Sequence, residues 1–305
     1  MTDDKLNSYH AAETDDEFVQ RSYFVDELSG TDVVIVKARQ NRPNIEVESC
    51  PFCPGGLEAP KSYDVYSFAN RWPSLGKNKC EVILYSPEHN SSLFACGKSG
   101  ILKVVELWGQ RTKVLFEFED VQYVLIFENS GKEVGATIMH PHGQIYAFDR
   151  IPKVPLNELC LAKKKCQLCK IESPERTLFS NTNLISFVPI APTFPFEVII
   201  STKSHVHSLL DFNDSFNQDL AEHLEKVLGA FQALFEEPMP YMMWIHQGPI
   251  KSDLVKQAHF HIHIVGIWRD LSVQRYIAAG ELGSGVMFNP IDPLDAATRL
   301  KRVMR

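Results

Sequence analysis

Two Cys-x-x-Cys pairs, Cys50/Cys53 and Cys166/Cys169, are each followed at the same distance by a histidine. From Cys53 to His89 is 36 positions, and from Cys169 to His205 is 36 again. A His-x-His segment closes each series, with His140 lying 51 positions after His89 and His259 lying 54 after His205. The stretches between agree as well: Cys80-Glu81-Val82-Ile83-Leu84 lines up with Phe196-Glu197-Val198-Ile199-Ile200. Such self-similarity is the mark of an internal duplication. It predicts two related halves, 1–155 and 156–305, each built around a metal knuckle.

A Cys-x-x-Cys turn aims two sulfurs at one centre, and a zinc tetrahedron is completed by two further nitrogen or sulfur ligands. The first set is Cys50, Cys53, His89 and His140; the corresponding second set is Cys166, Cys169, His205 and His259. In the second half His246, His261 and His263 compete as ligands. The other readings of these cysteines are buried thiols or a redox pair, but neither knuckle sits in the βαβ context that lowers a thiol pKa. Seven cysteines in a long chain without a basic-then-apolar leader point to thiolate ligands rather than disulfides. With no apolar run of about 18 residues, a cytoplasmic protein without a membrane span is expected.

The hydrophobic content of 44% over 305 residues supports a full core. A net charge of -7 argues against broad capture of nucleic acid, which needs clustered cations to displace counterions. Phosphorylated small molecules remain compatible. Short β-rich runs at Val33 to Val36, Val82 to Tyr85, Val114 to Phe118, Tyr123 to Phe127 and Val198 to Ser201 predict strands. Ser215 to Phe235 places Phe216, Leu220, Leu224, Leu228 and Phe231 at helical steps, while its mate in the first half is not evident. The fold class expected is α+β: a mainly antiparallel sheet with helices on one side.

Gly135 to Ile145 also reads as a strand, which would project His140, His142 and Gln144 from one face. His140 serves the metal set, leaving the His142 imidazole as a nucleophile beside an amide. An imidazole attacks phosphorus near neutral pH if its other nitrogen is held by an acceptor. The alternative for His142 alone is a satisfied core histidine.

With these residues in view, the chain resembles the galactose-1-phosphate uridylyltransferase family of the histidine-triad superfamily. The resemblance rests on HPHGQ at His140 to Gln144, ESCPFCPG ending at Gly55, SPEH ending at His89 and FENSG at Phe127 to Gly131. It extends to ARQNRP at Ala38 to Pro43, FANRWPSL at Phe68 to Leu75, FPFE at Phe194 to Glu197 and QRYIAAGE at Gln274 to Glu281. It implies duplicated histidine-triad-like halves forming a half-barrel sheet, and a homodimer. The implied chemistry is a ping-pong exchange in which His142 takes the nucleotidyl group from a nucleotide sugar and passes it to a sugar 1-phosphate. Gln144 would stabilise the phosphate, and glutamine in place of a third histidine favours transfer over hydrolysis.

By the same resemblance Arg39 and Arg42 match a phosphate-contacting arginine pair, Asn70 and Asn129 nucleotide contacts, and Arg275, Tyr276 and Glu281 the hexose segment. Thr137 stands where the family usually has serine, keeping the hydroxyl. Gly280 stands where some members have tyrosine, so the sugar preference stays open. At the second metal site some relatives use one Glu and three His, for which Glu158, His246, His261 and His263 qualify; the Cys166 set duplicates the first half and is favoured. Zinc is expected at the first site and the second, with iron the alternative at the second. Uridylyl transfer from UDP-glucose to galactose 1-phosphate is the favoured activity. An ADP-glucose phosphorylase-like transfer and a non-enzymatic zinc scaffold are the alternatives.

Overall fold

The computed structural model describes residues 21–37, 50–171 and 173–304. Arg39 and Arg42 therefore lie outside the described residues. A hairpin of β1 (Arg21–Val25) and β2 (Asp32–Val36) opens the described chain. The body is a nine-stranded antiparallel sheet. Its first part holds β3 (Tyr66–Ala69), β4 (Cys80–Leu84), β5 (Tyr123–Ser130) and β6 (His142–Phe148), in the spatial order β3-β4-β6-β5. Its second part holds β7 (Thr177–Ser180), β8 (Leu184–Phe187), β9 (Phe196–Thr202), β10 (Tyr241–His246) and β11 (His261–Gly266), ordered β10-β11-β9-β8-β7. The two parts join where β5 pairs with β10, with Phe127 opposite Trp244. The four strands β3, β4, β6, β5 thus repeat as β8, β9, β11, β10, in mirrored order about that seam.

Two 20-residue helices, α1 (Gly97–Phe116) and α3 (Asp214–Ala233), pack on one sheet face. The side chain of Asn213 caps α3 by accepting from the Phe216 N–H at 3.1 Å, satisfying one of the donors a helix start leaves open. Along α1 the buried positions Ile101, Val104, Val105, Trp108, Thr112 and Leu115 recur at three- and four-residue steps. This helix is the mate of α3 that the sequence left unassigned. It also overturns the strand expected at Val114 to Phe118: β-branched and aromatic residues there fit a pleated surface, but the periodic stripe running in from Ile101 carries the helix through Phe116. Between helices and sheet lies the main core, with Trp108, Tyr85, Phe196, Phe231 and Phe260 fully buried.

The described residues hold three further α-helices, α2 (Lys153–Ala162), α4 (Ala279–Ser284) and α5 (Pro293–Val303). Among the described residues, no helix is long and apolar enough to cross a membrane. On the sheet face away from α1 and α3, Val82 and Leu84 of β4 pack against Phe52 and Ala59, so the first knuckle is seated directly on β4.

Candidate active site and metal clusters

The strand expected from Gly135 begins only at His142. Residues 132–134 form a 3-10 turn, Gly135 adopts a left-handed conformation at φ 86°, and Pro141 has no N–H to give a ladder. His140 therefore precedes β6 rather than sharing its pleat, and is buried. From His142 onward the alternation holds: His142, Gln144 and Tyr146 are part-exposed on one face, while Gly143, Ile145 and Ala147 are buried on the other.

The departure lets His140 and His142 face different partners. His142 Nδ1 lies 2.8 Å from the carbonyl oxygen of His140. A carbonyl can only accept, so Nδ1 carries the proton and Nε2 the lone pair. The Phe52 ring stands edge-on to the His142 imidazole at 5.2 Å. Gln144 is opposite Val82 on β4 and Phe127 on β5, and its Oε1 accepts from Asn70 Nδ2 at 3.4 Å. Asn70 in turn is fixed by the Trp72 N–H, which donates to its Oδ1 at 2.9 Å. Asn129, two residues beyond Phe127 on β5, shares that strand's part-exposed face with Phe127.

His140 Nε2 lies 2.7 Å from the Ser86 carbonyl, which leaves Nδ1 as its lone-pair nitrogen. That nitrogen and Nδ1 of His89 each lie 3.7 Å from Cys53 Sγ, and the four donors of Cys50, Cys53, His89 and His140 fall within 4.8 Å of one another. A tetrahedral zinc with ordinary bond lengths separates sulfur from nitrogen by about 3.6 Å, so this donor set fits the ion. Burial pushes the His140 imidazole below its usual pKa and favours the neutral, ligating form.

The second knuckle repeats the plan. His259 Nε2 lies 2.7 Å from the Thr202 carbonyl and His205 Nε2 lies 3.1 Å from that of Lys256. Their Nδ1 atoms then approach Cys166 and Cys169 at 3.3 Å and 3.1 Å. The four donors again fall within 4.8 Å of one another, so this set too could hold an ion, with sulfur–nitrogen separations somewhat shorter than in the first knuckle.

Glu158, His246, His261 and His263 form a third, separate cluster, with donor atoms within 4.8 Å of one another. The two sets weighed as alternatives for one site are therefore both assembled. Glu158 from α2 places Oε2 at 2.8 Å from His246 Nδ1 and 3.5 Å from His261 Nε2. Burial pushes the Glu158 carboxyl up, but the bonds and charges of His246 and His261 outweigh it and hold it well below the usual range. Glu197, 3.1 Å from His263 Nδ1, orients that ring as carboxylates do behind metal-ligating histidines. One oxygen and three nitrogens also suit a divalent transition metal.

The profile of the galactose-1-phosphate uridyl transferase N-terminal domain matches residues 70–152, and that of its C-terminal domain matches 158–276. A galactose-1-phosphate uridylyltransferase of Thermotoga maritima is 36% identical over 299 residues, covering 88% of this chain and 94% of that protein. The chain belongs to the galactose-1-phosphate uridylyltransferase family. As a member it is a nucleotidyltransferase. A solved uridylyltransferase superimposes with a TM-score of 0.84 at 28% identity, covering 92% of this chain and 97% of that one. An ADP-glucose phosphorylase of Arabidopsis thaliana is also similar, 26% identical over 306 residues, 86% of this chain and 83% of that protein.

Within the family frame, the hexose-segment residues have unequal settings. Arg275 and Glu281 are buried and bonded to each other, and the Arg275 guanidinium stands over the Phe194 ring at 4.8 Å. Tyr276 is 73% exposed, the member of the three with a side chain open to contact. Thr137 is exposed on the irregular segment ahead of His140. Two residues that sequence reasoning missed hold ligands in place. Tyr63 donates to the Phe52 carbonyl at 2.7 Å and lies 2.9 Å from His140 Nε2, and Glu197 holds His263. Glu197 had a signal, since it falls within FPFE; Tyr63 had none.

Proposed function

We propose that the protein exchanges uridylyl groups between UDP-glucose and a hexose 1-phosphate, galactose 1-phosphate, through a covalent intermediate on His142. The observation that carries this reading is the Nδ1 contact of His142 with the His140 carbonyl, which leaves Nε2 as the nucleophilic nitrogen on the face that holds Gln144. Nε2 attacks the α-phosphorus, a P–N bond forms, and the P–O bond to glucose 1-phosphate breaks with its electron pair leaving on that sugar phosphate. The positive charge acquired by the imidazole is spread through Nδ1–H to the His140 carbonyl. In the second half-reaction a phosphate oxygen of the acceptor attacks phosphorus and the P–N electron pair returns to Nε2. No net proton is taken up.

Gln144 is the electrostatic partner in this reading. Its Oε1 is engaged by Asn70, which turns the amide N–H donors toward a non-bridging phosphate oxygen. Asn129 and Thr137 would supply further polar contacts, and Arg39 and Arg42 forked phosphate contacts across a homodimer. On the hexose side Tyr276 makes the contact, while the Arg275–Glu281 pair braces the segment. Zinc held by Cys50, Cys53, His89 and His140 would tie the knuckle to the chain two residues before the nucleophile; with four protein ligands its part is structural. The Cys166 set would do the same in a second half, taken as 156–305 against 1–155, a division supported by the repeated strand order.

A second reading, adenylyl transfer from ADP-glucose, is favoured by the similarity over most of the chain to the Arabidopsis thaliana ADP-glucose phosphorylase. Intact-mass spectrometry of the full chain after exposure to UDP-glucose or ADP-glucose separates the two. A UMP adduct lost in His142→Ala supports the first reading. An adduct formed only from ADP-glucose selects the second, and one that persists in His142→Ala removes both.

A further inference from the structure

Behind the HPHGQ strand, on the sheet face covered by α1 and α3, sits a buried polar cluster that the chemistry of His142 does not use. Gly143 points to this face, between two residues that point away from it. Ile83 is its partner on β4, and the register that sets Phe127 against Gln144 puts Glu128 beside it on β5. Glu128 is 4% exposed, and its Oε1 accepts a hydrogen bond from the Tyr241 hydroxyl at 2.7 Å. The Tyr85 hydroxyl also approaches this carboxyl, yet Tyr85 Oη and Glu128 Oε2 are both buried without a hydrogen bond of ordinary length.

The same hydroxyl rests against the nucleophile strand. A Cβ added to Gly143 would fall 2.0 Å from Tyr85 Oη, 2.9 Å from its Cζ and 3.1 Å from the Phe127 carbonyl oxygen. The position between His142 and Gln144 is thus kept bare so that a tyrosine oxygen can occupy the place of a side chain. Burying a carboxyl and two hydroxyls is costly, and apolar residues at 85, 128 and 241 together would avoid the cost. The presence of these polar groups under the reactive strand calls for a role other than stability.

We propose that Tyr85, Glu128 and Tyr241 are positioning residues that seat the Gly143 backbone from behind and so fix the height at which His142 and Gln144 stand on the opposite face. This rests on the reading of His142 as nucleophile. A displacement of roughly 1 Å at a reacting group lowers rates about 100-fold, so a seat one oxygen thick is large enough to matter. Tyr241 anchors the carboxyl, the carboxyl aligns Tyr85, and Tyr85 carries the contact to the strand.

The test is the rate of nucleotidyl-His142 formation from UDP-glucose by the full-length protein, with metal content measured alongside. Tyr85→Phe is expected to slow adduct formation at least tenfold while the half-saturating UDP-glucose concentration stays within about twofold and bound metal is unchanged. Gly143→Ala should lose about 100-fold or more. The double variant Gly143→Ala/Tyr85→Phe should recover part of that loss, about threefold or more, because removing the hydroxyl moves the methyl's nearest contact from 2.0 Å to the ring Cζ at 2.9 Å. Glu128→Gln should fall between wild type and Tyr85→Phe. A Tyr85→Phe protein as fast as wild type, or a double variant no faster than Gly143→Ala, overturns the positioning role while leaving the uridylyl-transfer reading intact. A wild-type protein that forms no adduct overturns both.

Discussion

The carbonyl oxygen of His140 accepts the Nδ1 proton of His142 across 2.8 Å, and the equivalent contact recurs in the second half between His261 and His259 at 2.7 Å. One backbone arrangement therefore presents an Nε2 lone pair in each half. What differs is the company of that nitrogen. In the first half the same face holds Gln144, an amide that donates hydrogen bonds. In the second half Nε2 of His261 faces the Glu158 carboxylate at 3.5 Å, with His246 and His263 beside it. A carboxylate repels a phosphate and three convergent imidazoles suit a cation, so the same backbone contact serves a set of groups that could hold a metal rather than a phosphate.

Gln144 is the first point at which this contrast can be measured. Gln144→Ala should lower the rate of adduct formation about 100- to 1,000-fold, the range for losing one preorganised donor to a developing oxyanion. Rapid-quench measurement with UDP-glucose reads it directly. A loss under about fivefold would place the stabilising donor elsewhere.

Much of this arrangement could be read from residue order alone, for a physical reason. Metal ligands at fixed spacing and runs of β-branched and aromatic residues are local patterns, so both knuckles, α3 and the strands β2, β4, β5 and β9 were legible, whereas β3, β7, β8, β10 and β11 were not. Helix α1 was not, because Val114-Leu115-Phe116 has strand-like composition and the deciding signal is its contact with the core from Ile101 onward. The third cluster was half legible. Glu158, His246, His261 and His263 were visible as ligand types, but α2 and β10 supply two of them from far apart in sequence, and only the tertiary fold shows that they share a centre distinct from Cys166 and Cys169. The Tyr85–Glu128 contact with Gly143 has no sequence signature at all.

Trp108 tests the packing that brings the helices to the sheet. It is fully buried on α1 within the main core. Trp108→Ala should cost about 3–5 kcal/mol of stability by removing the ring and leaving a cavity. Trp108→Phe should cost much less, since the indole N–H it removes is buried without a partner. Urea titration of the two variants gives the comparison.

Glu128 predicts a pH dependence of stability. Burial pushes its carboxyl up from 4.5 to about 7, against the lowering effect of the Tyr241 and Tyr85 hydroxyls. A carboxyl with a raised folded pKa binds its proton more tightly in the fold, so its favourable contribution is complete below pH 4.5 and is lost as pH rises through 7. The swing is about 3 kcal/mol. Glu128→Gln is uncharged throughout, so relative to wild type it should gain stability by about that amount between pH 4.5 and 8. Denaturant midpoints for both proteins across this range would show parallel curves if Glu128 keeps an ordinary pKa.

Metal content distinguishes the three clusters, because they share no side chain. If each holds an ion, protein prepared without chelators should contain about three metal equivalents per chain, and each paired substitution should remove one. Cys166→Ser/Cys169→Ser should lower the zinc count alone, and Glu158→Gln/His263→Gln should remove the ion bound by oxygen and nitrogen. Cys50→Ser/Cys53→Ser should do more, because His140 both closes that set and supplies the carbonyl that holds His142. Activity should fall with the first metal and survive loss of the second. An ion present at about 1,000 times its dissociation constant stabilises the fold by about 4 kcal/mol, so each loss should also lower the melting temperature by a measurable step. Two equivalents that drop to one on replacing Glu158 and His263, and stay at two on replacing Cys166 and Cys169, would show the second knuckle to be empty.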